Sequence, residues 1–175
     1  MSSDSINNDI EVDSDLPGLQ QAIALGNVPL VKQLIQLGHN VEEINYYGYS
    51  PLDLAAEQGH LEIMEILLDS GARPWYSHES APIFQAAQNG QTQAVKLLIE
   101  RGGFTEMTID DGYTLLMEAV ITSNLDCVKI LVEAGADIND KTRFGETAIS
   151  MAQELEDQEI YEYLIQVAKN QAERN

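Results

Sequence analysis

GYSPLDLAAEQGHLEIMEILLDSGA, residues 48–72, is the stretch that decides the fold. Pro51 stands where a helix can begin, because the first turn has no use for the N–H that proline lacks. Small residues follow at Ala55 and Ala56, and Gly59-His60 then interrupts the run. Glycine accepts the left-handed backbone that ends a helix, so this pair predicts a tight turn. A second run places Leu61, Met64, Leu67 and Leu68 at spacings of three, three and one, which is a single helical stripe. Gly71 closes it. The stretch reads as turn, short helix, turn, longer helix.

Working outward, the same pattern returns. The closing glycine recurs at Gly38, Gly71, Gly102 and Gly135, at intervals of 33, 31 and 33 residues. The apolar stripe recurs as Val28, Val31, Leu34 and Ile35, as Thr92, Val95, Leu98 and Ile99, and as Leu125, Val128, Leu131 and Val132. A last copy has Tyr161, Leu164 and Ile165, with Gln158 at its first position and Glu156 in the place of the interhelical glycine, and reads as a polar C-terminal cap. Ahead of each stripe lie small residues, Ala22, Ala55, Ala56, Ala86, Ala87, Ala119 and Ala152, where neighbouring units must approach closely. Gly26-Asn27 and Gly90-Gln91 match Gly59-His60. Gly48, Gly112 and Gly145 punctuate hairpin-like turns between units, and Pro82 matches Pro51. A fixed period of this length means stacked units that bury a shared core.

These residues resemble the ankyrin repeat, whose pattern includes Thr-Pro-Leu-His-x-Ala and a period of 33. The likeness is strongest at Ser50-Pro51-Leu52-Asp53-Leu54-Ala55-Ala56, at Gly59-His60-Leu61-Glu62-Ile63 and at Gly135-Ala136-Asp137-Ile138-Asn139. It implies an all-α solenoid of about five helix-turn-helix units joined by hairpin-like turns. The repeat domain spans residues 16–166, in units of about 16–44, 45–74, 75–104, 105–139 and 140–166. An acidic tail at 1–15 and a C-terminal tail at 167–175 flank it. The motif histidine is replaced by Asp53, Phe84, Met117 and Ser150, so its hydrogen bonding must be met differently or lost. Leu115 and Ala148 replace the motif proline without disturbing the register. The third unit is two residues short between Gly71 and Pro82, and Thr92 stands there in place of an aliphatic. This unit is expected to be the weakest.

Charge narrows the function. The 175 residues carry 29 Asp and Glu against 9 Lys and Arg, a net charge of -20. A surface of that sign repels phosphate backbones and anionic headgroups, so neither nucleic acid nor membrane is an expected partner. The tail's Asp4, Asp9, Glu11, Asp13 and Asp15 have too little apolar company to offset ordering, and truncation before Leu16 is expected to leave the stack intact. Cys127 is the one cysteine, and the N-terminus lacks the basic-then-apolar order of a secretory signal. A reducing, cytoplasmic setting and a monomer are expected.

Catalytic constellations are not found. His39, His60 and His78 fall in three different turns, 21 and 18 residues apart, and do not read as a ligand set. Gly102-Gly103 ends a helix and does not open one on a phosphate. Asp110-Asp111 before Gly112 lacks the spaced oxygens and closing Glu of a calcium loop, and reads as a turn. Cys127 reads as a buried, inert thiol. Met64, Met107, Met117 and Met151 read as gap fillers between helices. Glu154, Glu156, Asp157, Glu159 and Glu162 read as a solvated cap. No enzyme, cofactor or metal is expected.

What remains is aromatic. The resemblance implies that the turn fingertips and the exposed side of the first helices form the binding face. Carried over residue by residue, the partner-binding candidates are Tyr46, Tyr47 and Tyr49 around Gly48, Asp110, Asp111 and Tyr113 around Gly112, and Arg143, Phe144 and Glu146 around Gly145. Trp75, Tyr76 and His78 belong to the short finger, and Glu57 and Gln58 to a polar floor continued by Gln88, Asn89, Ile121 and Thr122. Tyr and Trp supply contact area with few rotors to freeze. The expected partner is another protein, one with a basic surface, and an acidic inhibitor or assembly chaperone masking a nucleic-acid-binding surface is the alternative.

Overall fold

The computed structural model describes residues 18–75, 81–103 and 108–173. Among these residues the chain is a series of helix pairs: α1 (Gly18–Ala24) and α2 (Val28–Gln36), α3 (Pro51–Gln58) and α4 (Leu61–Asp69), α5 (Pro82–Gln88) and α6 (Thr92–Glu100), α7 (Leu115–Ile121) and α8 (Leu125–Glu133), α9 (Ala148–Glu154) and α10 (Gln158–Ala172). The short helices α1, α3, α5, α7 and α9 pack in one row and α2, α4, α6, α8 and α10 in a second. Each pair leans on the next, so the core runs unbroken along the stack.

The small residues do what their size requires. Ala22, Ala55, Ala56, Ala86, Ala87, Ala119 and Ala152 are all buried where the short helices meet. The expected stripes hold at their centre: Val31, Met64, Leu67, Val95, Leu98, Val128 and Leu131 are buried, and Leu34, Ile35, Leu68, Ile99 and Val132 pack against the core. Burial falls on Ile63, Met64 and Leu67, on Ala94, Val95 and Leu98, and on Cys127, Val128 and Leu131, whereas Leu61 is 39% exposed and Leu125 only half-buried. A side chain at the first helical position points back over the preceding turn, and solvent reaches it there.

Gly26, Gly59 and Gly90 end their helices with φ of 61°, 69° and 68°. Ser123 and Glu156 hold the same conformation without glycine, at 50° and 56°, a strained backbone for an L-residue. His60, Gln91 and Asn124, which follow the turns at Gly59, Gly90 and Ser123, reach back across the seam. His60 lies over Gly26, and Gln91 lies over Gly59 and donates to the Glu57 carbonyl at 3.3 Å. Asn124 donates to the Gly90 carbonyl at 3.4 Å and to Thr92 Oγ1 at 2.9 Å. Thr92 is therefore bonded across the seam and is not a packing defect.

The expected bounds meet the structure at one end only. The segment at 1–15 lies outside the described residues, as do Tyr76, His78 and Met107. At the other end α10 continues past residue 166 to Ala172, with Val167 and Ala168 packed against the core, so the expected C-terminal tail is largely a continuation of the last helix. Apolar residues four apart from Leu164 keep one face of that helix on the stack.

The third unit stands apart at its helix starts. Ser50, Thr114 and Thr147 cap α3, α7 and α9 with side-chain oxygens, and Asn27, Asn124 and Asp157 cap α2, α8 and α10. His60 before α4 makes no such bond, and neither Ala81 before α5 nor Gln91 before α6 does, so in the third unit both helix starts go without one. Ala81→Ser, which gives α5 the residue that caps α3, is expected to raise stability by about 1 kcal/mol. A urea midpoint unchanged or lowered would contradict it.

Candidate functional site

The fingers are built on one turn used three times. The backbone N–H groups of Asn45, Ile109 and Thr142 donate to the carbonyls of Tyr49, Tyr113 and Glu146 at 2.9 Å each, and Gly48, Gly112 and Gly145 supply the left-handed residue at φ of 88°, 81° and 84°. Side chains reinforce two of the three. Asn45 Oδ1 accepts from the N–H of Tyr47 and Tyr49 at 2.9 and 3.0 Å, and Thr142 Oγ1 accepts from the N–H of Phe144 and Glu146 at 3.2 Å each. Ile109 has no such group to offer, and its finger instead carries a short 3-10 turn, Asp110–Gly112, with Asp111 at φ 63°.

This common geometry superposes Tyr46 with Arg143, Tyr47 with Asp111 and Phe144, and Tyr49 with Tyr113 and Glu146. The tips point outward. Tyr46 is 92% and Tyr47 58% exposed, their rings meeting edge to face at 5.7 Å, and Trp75 at the start of the next finger is 47% exposed. Ile44, just before the first of these fingers, is also exposed. Tyr49 is half-buried and Tyr113 packs against the core, so the third position of each turn serves the stack.

The fourth and fifth fingers fasten each other. Arg143 donates its backbone N–H to the Asp111 carbonyl at 2.7 Å, and its guanidinium meets the Asp111 carboxylate at 2.7 Å while lying 4.7 Å over the Phe144 ring. Tyr113 donates its hydroxyl to Glu146 Oε2 at 3.4 Å, and Thr142 donates to the same oxygen at 3.0 Å. The Glu146 carboxylate, helped by partial burial, holds the Tyr113 phenol above its ordinary pKa. Glu118, in the first turn of α7, is also raised, by burial alone. Asp111, Tyr113, Arg143 and Glu146 thus engage one another, while Phe144 stays exposed at its tip. Glu57 is half-buried and Gln58 exposed, both at the C-terminal end of α3.

Charge ties the units at the surface as well. Glu42 pairs with Arg73 at 2.8 Å, Lys32 with Glu62 at 3.0 Å, and Asp69 with Arg101 at 2.9 Å. The Arg73 hydrogen bonds hold the Glu42 carboxyl below its ordinary pKa. Each of these pairs joins residues about one period apart, a signal that opposite charges 30 to 32 positions apart carry in the sequence.

A residue the sequence reading passed over organises the first described finger. Gln20 of α1 is buried, yet its amide donates to the carbonyls of Glu43 at 2.7 Å and Tyr49 at 3.2 Å, and its oxygen accepts from Asn45 Nδ2 at 2.7 Å. It stands 33 residues before Asp53, so it occupies the motif-histidine position of the first unit. The other occupants differ. Asp53 accepts from its own cap, Ser50 N–H, at 2.7 Å, and Ser150 accepts from Thr147 N–H at 2.9 Å. Phe84 and Met117 are buried among apolar neighbours.

Among the described residues no His, Cys, Asp and Glu group is arranged to hold a metal, and no helix is long and apolar enough to cross a membrane. Cys127 is buried, and burial pushes its thiol up to about 12. The thiolate is the reacting form, so at pH 8 the folded chain is expected to label with a thiol reagent far more slowly than the urea-unfolded chain. Equal rates in the two states would show that the thiol is accessible.

A family model described as ankyrin repeats in three copies matches residues 4–78 and 75–142. Ankyrin repeat protein nuc-2 of Neurospora crassa is 30% identical over 135 residues, 75% of this chain and 13% of that protein. Putative ankyrin repeat protein FPV232 of fowlpox virus is 27% identical over 149 residues, covering 84% and 30%. The chicken nuclear factor NF-kappa-B p105 subunit is 28% identical over 153 residues, covering 86% and 13%. The chain thus spans 13 to 30% of the length of these relatives. Period, paired helices and matched residues agree, and the chain belongs to the ankyrin repeat family.

Proposed function

We propose that this chain is a protein-binding module whose contact surface centres on the finger at Tyr46 and Tyr47, flanked by Trp75 and floored by Glu57 and Gln58. Ankyrin repeats are in general protein–protein interaction modules and typically non-catalytic. The observation that carries the finer reading is the exposure of Tyr46, Tyr47 and Trp75 at adjacent fingers, where the helical core makes no demand for them. Aromatic side chains in such positions are the usual anchors of an interface. Asp111, Tyr113, Arg143 and Glu146 form a stiffened end of the same edge, with Phe144 and Asp110 beside them in sequence. Capture of partners on the wild-type chain and on the Tyr46→Ala/Tyr47→Ala chain tests this, and a partner retained equally by both overturns it.

The partner's surface is basic. Twenty more carboxylates than cations make up the net charge of -20, and among the described residues five of the cations sit in ion pairs within the chain. Attraction of this kind speeds encounter and is screened within about 8 Å at physiological salt. Capture is therefore expected to weaken as salt is raised, and retention unchanged from low to high salt would rule out charge selection. The same charge favours a second reading, an acidic inhibitor or assembly chaperone covering a nucleic-acid-binding surface. Displacement of the captured partner by a polyanion such as heparin would support that reading.

A further inference from the structure

We propose that Gln20 is the positioning residue of the Tyr46–Tyr47 finger. The fingertip belongs to the second unit, but the group that fixes it is supplied by the first helix of the unit before. Gln20 uses three of its hydrogen-bonding sites on this one turn: the Glu43 carbonyl where the chain enters, the Tyr49 carbonyl where it leaves, and the Asn45 side-chain amide between them. Asn45 in turn spends its own oxygen on the N–H groups of Tyr47 and Tyr49. The chain of bonds therefore runs from a fully buried side chain to the backbone of the exposed aromatic tip.

Two comparisons within the molecule set this arrangement beside the other described turns. The equivalent position at Ile109 has no side-chain amide to donate such a bond, and the fourth and fifth fingers are steadied instead by Arg143 on Asp111. At the equivalent helix position Asp53 and Ser150 bond to their own caps and Phe84 and Met117 are buried, whereas Gln20 reaches the finger of the next unit. The finger carrying the two most prominent tyrosines is thus held by one buried amide. Holding a loop in its bound conformation before encounter lowers the ordering cost of binding. Gln20 accordingly sets affinity without touching the partner.

The proposal rests on the reading of Tyr46 and Tyr47 as binding residues only in its last step, and the test separates the two. Gln20→Met keeps length and apolar volume but removes every hydrogen bond. Leu19→Ala weakens the same helix by a cavity while leaving those bonds in place. Amide exchange in the full chain is followed at Tyr47, Gly48 and Tyr49 and compared with α2 and α3. Gln20→Met is expected to speed exchange at the three finger amides by about tenfold, leaving the helices close to wild type. Leu19→Ala is expected to speed α1 and α2 together. Finger exchange that is unchanged in Gln20→Met, or that rises only in step with the helices, overturns the proposal. Gln20→Glu, which keeps the acceptor but sets a carboxylate against two carbonyls, is expected to loosen the finger at least as much.

For binding, the probe is a short peptide selected on the wild-type chain and dependent on Tyr46 and Tyr47. Its affinity is expected to fall about tenfold in Gln20→Met with no change in Leu19→Ala. Affinity unchanged in Gln20→Met overturns the positioning role. If no peptide depends on the tyrosines, the binding role of the tip fails, while the exchange result still decides whether Gln20 orders it.

Discussion

Changing Tyr46 and Tyr47 together to Ala is expected to weaken partner binding by more than about 2 kcal/mol, the scale at which interface aromatics count as hot spots. The fold should lose little. Both rings are exposed, and the turn beneath them is fixed by Asn45, Gly48 and Gln20 rather than by the phenols. Tyr49 is left out of the pair because it is half-buried, and its removal would mix packing with binding. Melting and binding must be measured on the same variant. If melting collapses and binding falls only in proportion to the unfolded fraction, the tyrosines are structural and the contact surface lies elsewhere on the stack.

The largest stability effect outside the aliphatic core is expected at Asp53. Its carboxylate accepts from the Ser50 backbone at 2.7 Å while Ser50 Oγ accepts from the Asp53 backbone at 3.2 Å, and both residues are buried. Asp53→Ala removes the reciprocal half of the capping box, leaving the Ser50 Oγ bond in place but stranding the buried Ser50 N–H where water cannot reach it. The cost is expected to be about 2–3 kcal/mol, read as a lowered urea midpoint. The same truncation at Ser150, which closes an equivalent box with Thr147 but is only half-buried, should cost about 1 kcal/mol because solvent can replace the lost partner. Equal losses at the two positions would mean that burial does not set the strength of the cap.

These two sites also mark how far the residues could be read unaided. The sequence reading identified Asp53 and Ser150 as departures from the motif, and left open whether the hydrogen bonding was replaced or lost. Both turn out to be capping boxes, a pairing that Ser50 with Asp53 and Thr147 with Ser150 announce by their spacing alone. Phe84 and Met117 at the same position gave no such clue and are simply buried. Gln20 escaped notice because the first unit lacks the Pro-Leu landmark that set the register elsewhere. Counting back one period from Asp53 would have found it.

The period, the helix pairs, the small residues at the seams and the glycines at the turns were fixed by local rules. Each depends on the chemistry of residues a few positions apart, repeated until chance is excluded. Helix spacing sorts apolar from polar, and only glycine takes the left-handed turn without strain. What only the tertiary structure decided is which residues of neighbouring units meet. The stripes were legible at their centre, but Ile63, Ala94 and Cys127 join the core and Leu61 leaves it because burial depends on where the next helix lies. The fourth and fifth fingers are locked by Asp111 and Arg143, while the finger at Tyr46 and Tyr47 is held from beneath by Gln20. Those contacts join residues 23 to 33 positions apart, and they exist only once stacking has brought neighbouring units together.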